Sequence, residues 1–178
     1  MDLFIIIQLI LILILLVLSA LISGSEVAFF SLSNSDLNDN LKSDDRDIKT
    51  IKLLLKKPKR LLATILITNN FINIAVVLIF ANLSNIFFEG YISPIFKLIF
   101  EIGFITTIIL LFGEIFPKVY ANRNPIGFAK KLSRPIKVLD SYILFFMTLP
   151  MSRMTRFLEK KLGNRENDFS IDQLSQAL

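Results

Sequence analysis

The chain has 178 residues, 53% of them hydrophobic, and a formal net charge of +5. It contains no cysteine and no histidine, which excludes disulfide frameworks, thiolate or imidazole metal sites and histidine acid–base chemistry. A mean hydropathy of +0.62 and long uncharged runs indicate an all-α integral membrane protein.

Leu3–Ile22 carries no charge and only two polar side chains, Gln8 and Ser19. Only Met-Asp precedes it, with no Lys or Arg, so it reads as a retained first span and not as a signal peptide. If helix persists through Ser23-Gly24-Ser25-Glu26, the span reaches Leu32, about 45 Å long, and projects past the hydrocarbon. Between Ser33 and Arg60 the pattern turns amphipathic and helical: Ile48, Ile51 and Leu55 share a face. Asp44 and Asp45 suit its start, Lys56 and Lys57 its end, and Pro58 breaks it. Leu61–Ala81 is a second span, free of charge but holding Asn69, Asn70 and Asn73. The third runs from about Pro94 to Phe112, with Lys97 and Glu101 spaced to pair, a structural role for Glu101.

Ser141–Met151 is too short to cross and reads as an amphipathic helix in the interface, in contact with lipid head groups. Lys130, Lys131, Arg134 and Lys137 precede it. The tail Asn164–Leu178 is a polar linker, which implies that the protein continues. Lys and Arg number eight in Ser33–Arg60 and eleven in Pro117–Leu178, with none in Met1–Asp2 or Asn82–Phe96. The asymmetry predicts an outside N-terminus, three crossings of the cell (inner) membrane and a cytoplasmic C-terminus. Positive charge so placed argues for lipid and against nucleic acid.

Three polar clusters fall at one depth. Ser23 lies roughly 14 Å back from the inner end of span one, Asn69–Asn73 roughly 12–18 Å into span two, and Gly113–Lys118 near the inner end of span three. Pro117 cannot donate to the carbonyl of Gly113, so that oxygen is freed beside Glu114. Ser23–Glu26 offers a similar opening, because serine hydroxyls compete with the backbone and Gly24 weakens the helix. Oxygens of hydroxyl, amide, carbonyl and carboxylate converging on a cavity describe a site for a hard cation. The plainer reading, interhelical glue, is weakest where all three clusters coincide.

SGSEVAFFSLS (Ser23–Ser33), TNNFIN (Thr68–Asn73) and GEIFPK (Gly113–Lys118), in this order and spacing, resemble the transmembrane domain of the CorC/CNNM family of magnesium transporters. Members commonly read S-G-S-E-x-A, G-N-N-x-x-N and G-E-x-x-P-K there. The resemblance implies a homodimer, each subunit with three spans, a short cytoplasmic helical hairpin and a juxtamembrane helix belt. It implies a transmembrane domain over residues 1–162, with 163–178 beginning a linker toward cytoplasmic nucleotide-binding CBS domains. It also implies Mg²⁺ export coupled to Na⁺. Ser23, Asn69 and Gly113 (through its carbonyl) match the family's ligand positions. Ser25, Glu26, Asn70, Asn73 and Glu114 would be ligands or close supports, with Gly24, Pro117 and Lys118 structural. Thr68 departs from the pattern, standing where the family often has glycine.

No Gly-rich phosphate loop, histidine or nucleophile motif supports an enzyme. The rival class is a dimeric membrane anchor for a cytoplasmic module, as in relatives associated with gliding motility. A pore-forming toxin is the weakest alternative.

Overall fold

A computed structural model describes residues 3–33, 46–88 and 93–142, and every regular element among them is helical. The chain divides into two compact units, Met1–Leu139 and Asp140–Leu178, and the contacts below belong to the first. Expectations for Asp44 and Asp45, for residues 143–151 and for the linker 163–178 lie outside the described residues.

Helix α1 (Leu3–Phe30) is apolar nearly all round and runs unbroken through Ser23–Glu26. The expected opening there does not occur. The Ser25 hydroxyl donates to the Ile22 carbonyl at 2.5 Å and is thereby committed to its own helix. Gly24 lets two other elements close in: a Cβ there would lie 3.1 Å from the Pro117 carbonyl oxygen and 2.8 Å from Cζ of Phe128. The glycine thus serves close packing rather than unwinding.

Helix α2 (Arg46–Leu55) buries Ile48, Ile51 and Leu54, while Leu55 is half-buried, so its apolar stripe is broader than the three-residue pattern predicted. Pro58 not only follows α2 but opens α3 (Pro58–Phe88), where its missing N–H costs no helical bond. The third crossing, Pro94–Arg123, is continuous and extends past the expected end at Phe112. It comprises α4 (Pro94–Ile108), a π-helical segment (Ile109–Ile115) and α5 (Phe116–Arg123). Helix α6 spans 125–142.

Among the described residues, three helices (α1, α3 and the Pro94–Arg123 helix) are long and apolar enough to cross a membrane. They pack in two apolar layers. Near the start of α1, Ile5 and Ile12 meet Val76 and Leu83 of α3 and Ile105 and Ile109 of the third crossing. Near its end, Ile22, Ala28 and Phe29 join Ile48 and Ile51 of α2, Leu61 and Ile65 of α3, Ala121 of α5, and Ala129, Leu132 and Ile136 of α6. The α6 residues recur at three- and four-residue steps, which turns Lys131, Arg134 and Lys137 to the exposed side. Arg134 Nε donates to Asp47 Oδ1 at 2.7 Å, joining α6 to α2 outside the core.

Candidate cation site

The gap between the two apolar layers is polar. It lies between Ile12 and Ile22 on α1, between Ile65 and Val76 on α3, and between Ile109 and Ala121 on the third crossing. Ser19 is fully buried there, and its Oγ lies 2.9 Å from Asn69 Oδ1 and 2.7 Å from Asn73 Oδ1. Asn73 Nδ2 donates to Glu114 Oε1 at 3.3 Å, which extends the cluster to the third crossing. Gly113 is buried against the same hydroxyl: a Cβ there would lie 3.0 Å from Ser19 Oγ.

Proton counting makes this arrangement informative. A serine hydroxyl has one proton and cannot donate to two amide oxygens at once. Asn73 is oriented by its bond to Glu114, so its oxygen properly faces Ser19. Asn69 then either turns its amide nitrogen to Oγ or keeps its oxygen inward beside a positive charge. Amide orientation follows from such networks. With Asn69 Oδ1 inward, the cluster holds three oxygens and a carboxylate within reach, with a surplus of acceptors over donors.

The π-helical segment revises the expectation for Pro117. The Phe116 N–H donates to the Leu111 carbonyl, five residues back rather than four. Carried one residue further, that step points at Phe112, whereas the ordinary step points at Gly113. Pro117 can donate to neither carbonyl, so the expectation for Gly113 extends to Phe112.

The remaining predicted residues are distributed differently. Ser23, one turn beyond Ser19, is 1% exposed and its Oγ has no hydrogen-bond partner. Ser25 is bonded to its own backbone. Glu26 pairs with Lys118 Nζ at 2.9 Å across the α1–α5 contact, away from the asparagines. Asn70 is on the exposed side of α3. Thr68 Oγ1 donates to the Thr64 carbonyl at 2.8 Å, so its hydroxyl folds back on α3 rather than into the cluster. Sequence reasoning noted Ser19 only as a polar interruption of span one. The signal was its spacing: Ser19 and Ser23 are one helical turn apart and share a face.

Over 149 residues, 82% of this chain and 33% of the relative, the sequence is 28% identical to the UPF0053 inner membrane protein YfjD of Escherichia coli (strain K12). Over 113 residues, 63% of this chain and 26% of the relative, it is 37% identical to a UPF0053 protein of Haemophilus influenzae. The alignments thus span a third or less of the length of these curated relatives. Residues 10–177 match the family model of the cyclin M (CNNM) transmembrane N-terminal domain, and the chain belongs to that family.

Proposed function

We propose that the chain is the membrane part of a Mg²⁺ transporter, exporting Mg²⁺ in exchange for Na⁺, with Ser19, Asn69, Asn73 and Glu114 as the core of its ion-binding site. The observation that carries this reading is the pair of contacts at 2.9 and 2.7 Å around the Ser19 hydroxyl. Octahedral ligands held about 2.0–2.1 Å from Mg²⁺ stand roughly 2.9 Å apart, whereas ligands at Ca²⁺ distances stand roughly 3.3–3.6 Å apart. The observed spacing, also that of an ordinary hydrogen bond, is compatible with neighbouring ligands of Mg²⁺. Ser23 Oγ, buried without a partner, is a further donor, and the carbonyls of Phe112 and Gly113 add backbone acceptors. Water completes the shell, as is usual for an ion that dehydrates reluctantly.

The charge asymmetry supports placement in an inner membrane with the end of α1, α2 and α6 cytoplasmic; the E. coli relative is named as an inner membrane protein. The outward amide of Asn70, beside Phe71 and Ile74, supports a homodimer that covers this face of α3, since an amide facing hydrocarbon is costly. On this reading nucleotide binding belongs to CBS domains beyond the linker, and the chain has no enzymatic role.

The test is a Mg²⁺ titration of the purified protein beside Asn69→Ala and Glu114→Gln. Each substitution is expected to weaken binding at least tenfold. Unchanged affinity in both, with the fold intact, would favour the rival membrane anchor, for which these side chains are packing only.

A further inference from the structure

A second polar layer lies at the other end of the bundle, where α1 begins, and belongs to none of the three motifs. Gln8 of α1 is 9% exposed; its Nε2 donates to Asn82 Oδ1 of α3 at 3.4 Å, but its Oε1 has no partner. One turn further along α3, Asn85 Oδ1 accepts from Lys97 Nζ of α4. Lys97 Nζ also faces Glu101 Oε1, at 3.7 Å, too far for a hydrogen bond, and that oxygen is buried with no other partner. The two side chains are only 16% and 14% exposed. Lys97 thus bridges Asn85 of α3 and Glu101 of α4, with the Gln8–Asn82 pair one turn back along α3, where Asn82 and Asn85 are both on the exposed side.

We propose that the place between Glu101 and Asn85 is a monovalent-cation site that Lys97 fills with its own ammonium, with Asn82 and Gln8 one turn away as supports. Charge decides the class of ligand. With Lys97 withdrawn, the layer carries a single carboxylate, which a monovalent cation neutralises and a divalent one overshoots in a poorly solvated setting. The ammonium itself is a monovalent cation that leaves Glu101 Oε1 without a hydrogen bond. Lys97 sits three residues after Pro94, in the first turn of α4, so its four-carbon stem reaches the end of the helix when it swings out. The lysine therefore acts as a tethered competitor, and cations gain this end of the bundle only by displacing it.

Removing the tether should expose the site. Purified parent, Lys97→Gln and Lys97→Gln/Glu101→Gln proteins would be titrated with NaCl against choline chloride at constant ionic strength, following Tm and bound Na⁺. Lys97→Gln is expected to take up one additional Na⁺ per chain, with a Na⁺-dependent rise in Tm of roughly 2–4 °C. The parent and the double variant should show neither. If Lys97→Gln fails to fold, Lys97→Ala with methylammonium as the probe replaces it, and the same rise is expected. No added cation, or uptake that survives Glu101→Gln, overturns the site and leaves Lys97 and Glu101 as a helix staple. Mg²⁺ affinity measured on the same samples reports on the Ser19 cluster separately, so either site can fail while the other stands.

Discussion

Gly113→Ala tests whether the third crossing sets the geometry of the Ser19 cluster. The added methyl would stand 3.0 Å from Ser19 Oγ, but an ordinary 3.6 Å from both Ser19 Cβ and Ile109 Cγ2. The hydroxyl alone must yield, by a few tenths of an ångström, and it is the group held at 2.9 and 2.7 Å by Asn69 and Asn73. Interhelical hydrogen bonds in membrane bundles contribute about 0.6 kcal/mol each on average and up to about 1.7. Disturbing both predicts a loss of roughly 1–2 kcal/mol, and 1.4 kcal/mol is tenfold in affinity. Mg²⁺ binding should weaken about tenfold, with a parallel fall in thermal stability. The control is Ser19→Ala, which removes the clashing oxygen and leaves the methyl only ordinary contacts. In that background Gly113→Ala should cost little, so the double-mutant cycle is strongly non-additive. Equal losses in both backgrounds, read by Mg²⁺ titration and thermal unfolding in detergent, would refute a coupling through this oxygen.

Three further outcomes follow from the same contacts. Ser23→Ala removes a buried hydroxyl with no partner, so it should leave the metal-free protein as stable as the parent or up to about 1 kcal/mol more stable, while weakening Mg²⁺ binding; a loss of metal-free stability would mean that Ser23 is bonded after all. Gly24→Ala should lower Tm, because the new methyl meets Phe128 at 2.8 Å and the Pro117 carbonyl at 3.1 Å. Phe128→Leu should recover part of that loss but not all, since the carbonyl cannot retreat. Ile51→Ala, in the core where α2 meets α6, should cost about 2–5 kcal/mol, whereas Arg134→Ala, breaking an exposed ion pair to α2, should cost about 1 kcal/mol or less; chemical unfolding of the two variants compares them directly.

The three spans were legible because membrane crossing imposes length and apolarity on contiguous residues, which a linear sequence displays. Their contents were harder. Asn69, Asn73, Gly113 and Glu114 meet as the depth estimate suggested, but Ser19 and not Ser23 stands opposite the asparagines. Counting back from an assumed inner end at Leu32 carried an error of one turn, and one turn is enough to exchange two serines on the same face. Glu26 is chemically suited to the cluster, yet its pairing with Lys118 keeps it away. Such pairing across helices cannot be read from either motif alone. Asn70 illustrates the opposite limit: three asparagines within five residues cannot all face inward on a helix of 3.6 residues per turn, and Asn69 and Asn73, four apart, are the pair that do.

The π-helical segment gives the positions of these residues a common cause. A step of five residues in place of four inserts an extra residue within the third crossing and rotates everything beyond it relative to α4. Upstream of Ile109 the helix is keyed to the apolar layer at the start of α1, through Ile105; downstream, Ala121 is keyed to the layer at its end. Gly113 and Glu114 lie inside the segment where these two registers are reconciled. Glycine at 113 allows contact with Ser19, and the missing donor of Pro117 removes one restraint on the carbonyls that the wider turn has already shifted. Forcing ordinary four-residue steps through the segment with no residue removed would then rotate Ala121 out of its layer, whereas deleting one residue there would absorb the extra residue and let both layers keep their register. The irregular turn is therefore how this sequence joins two packed layers through a polar gap, and Gly113 and Glu114 lie within it.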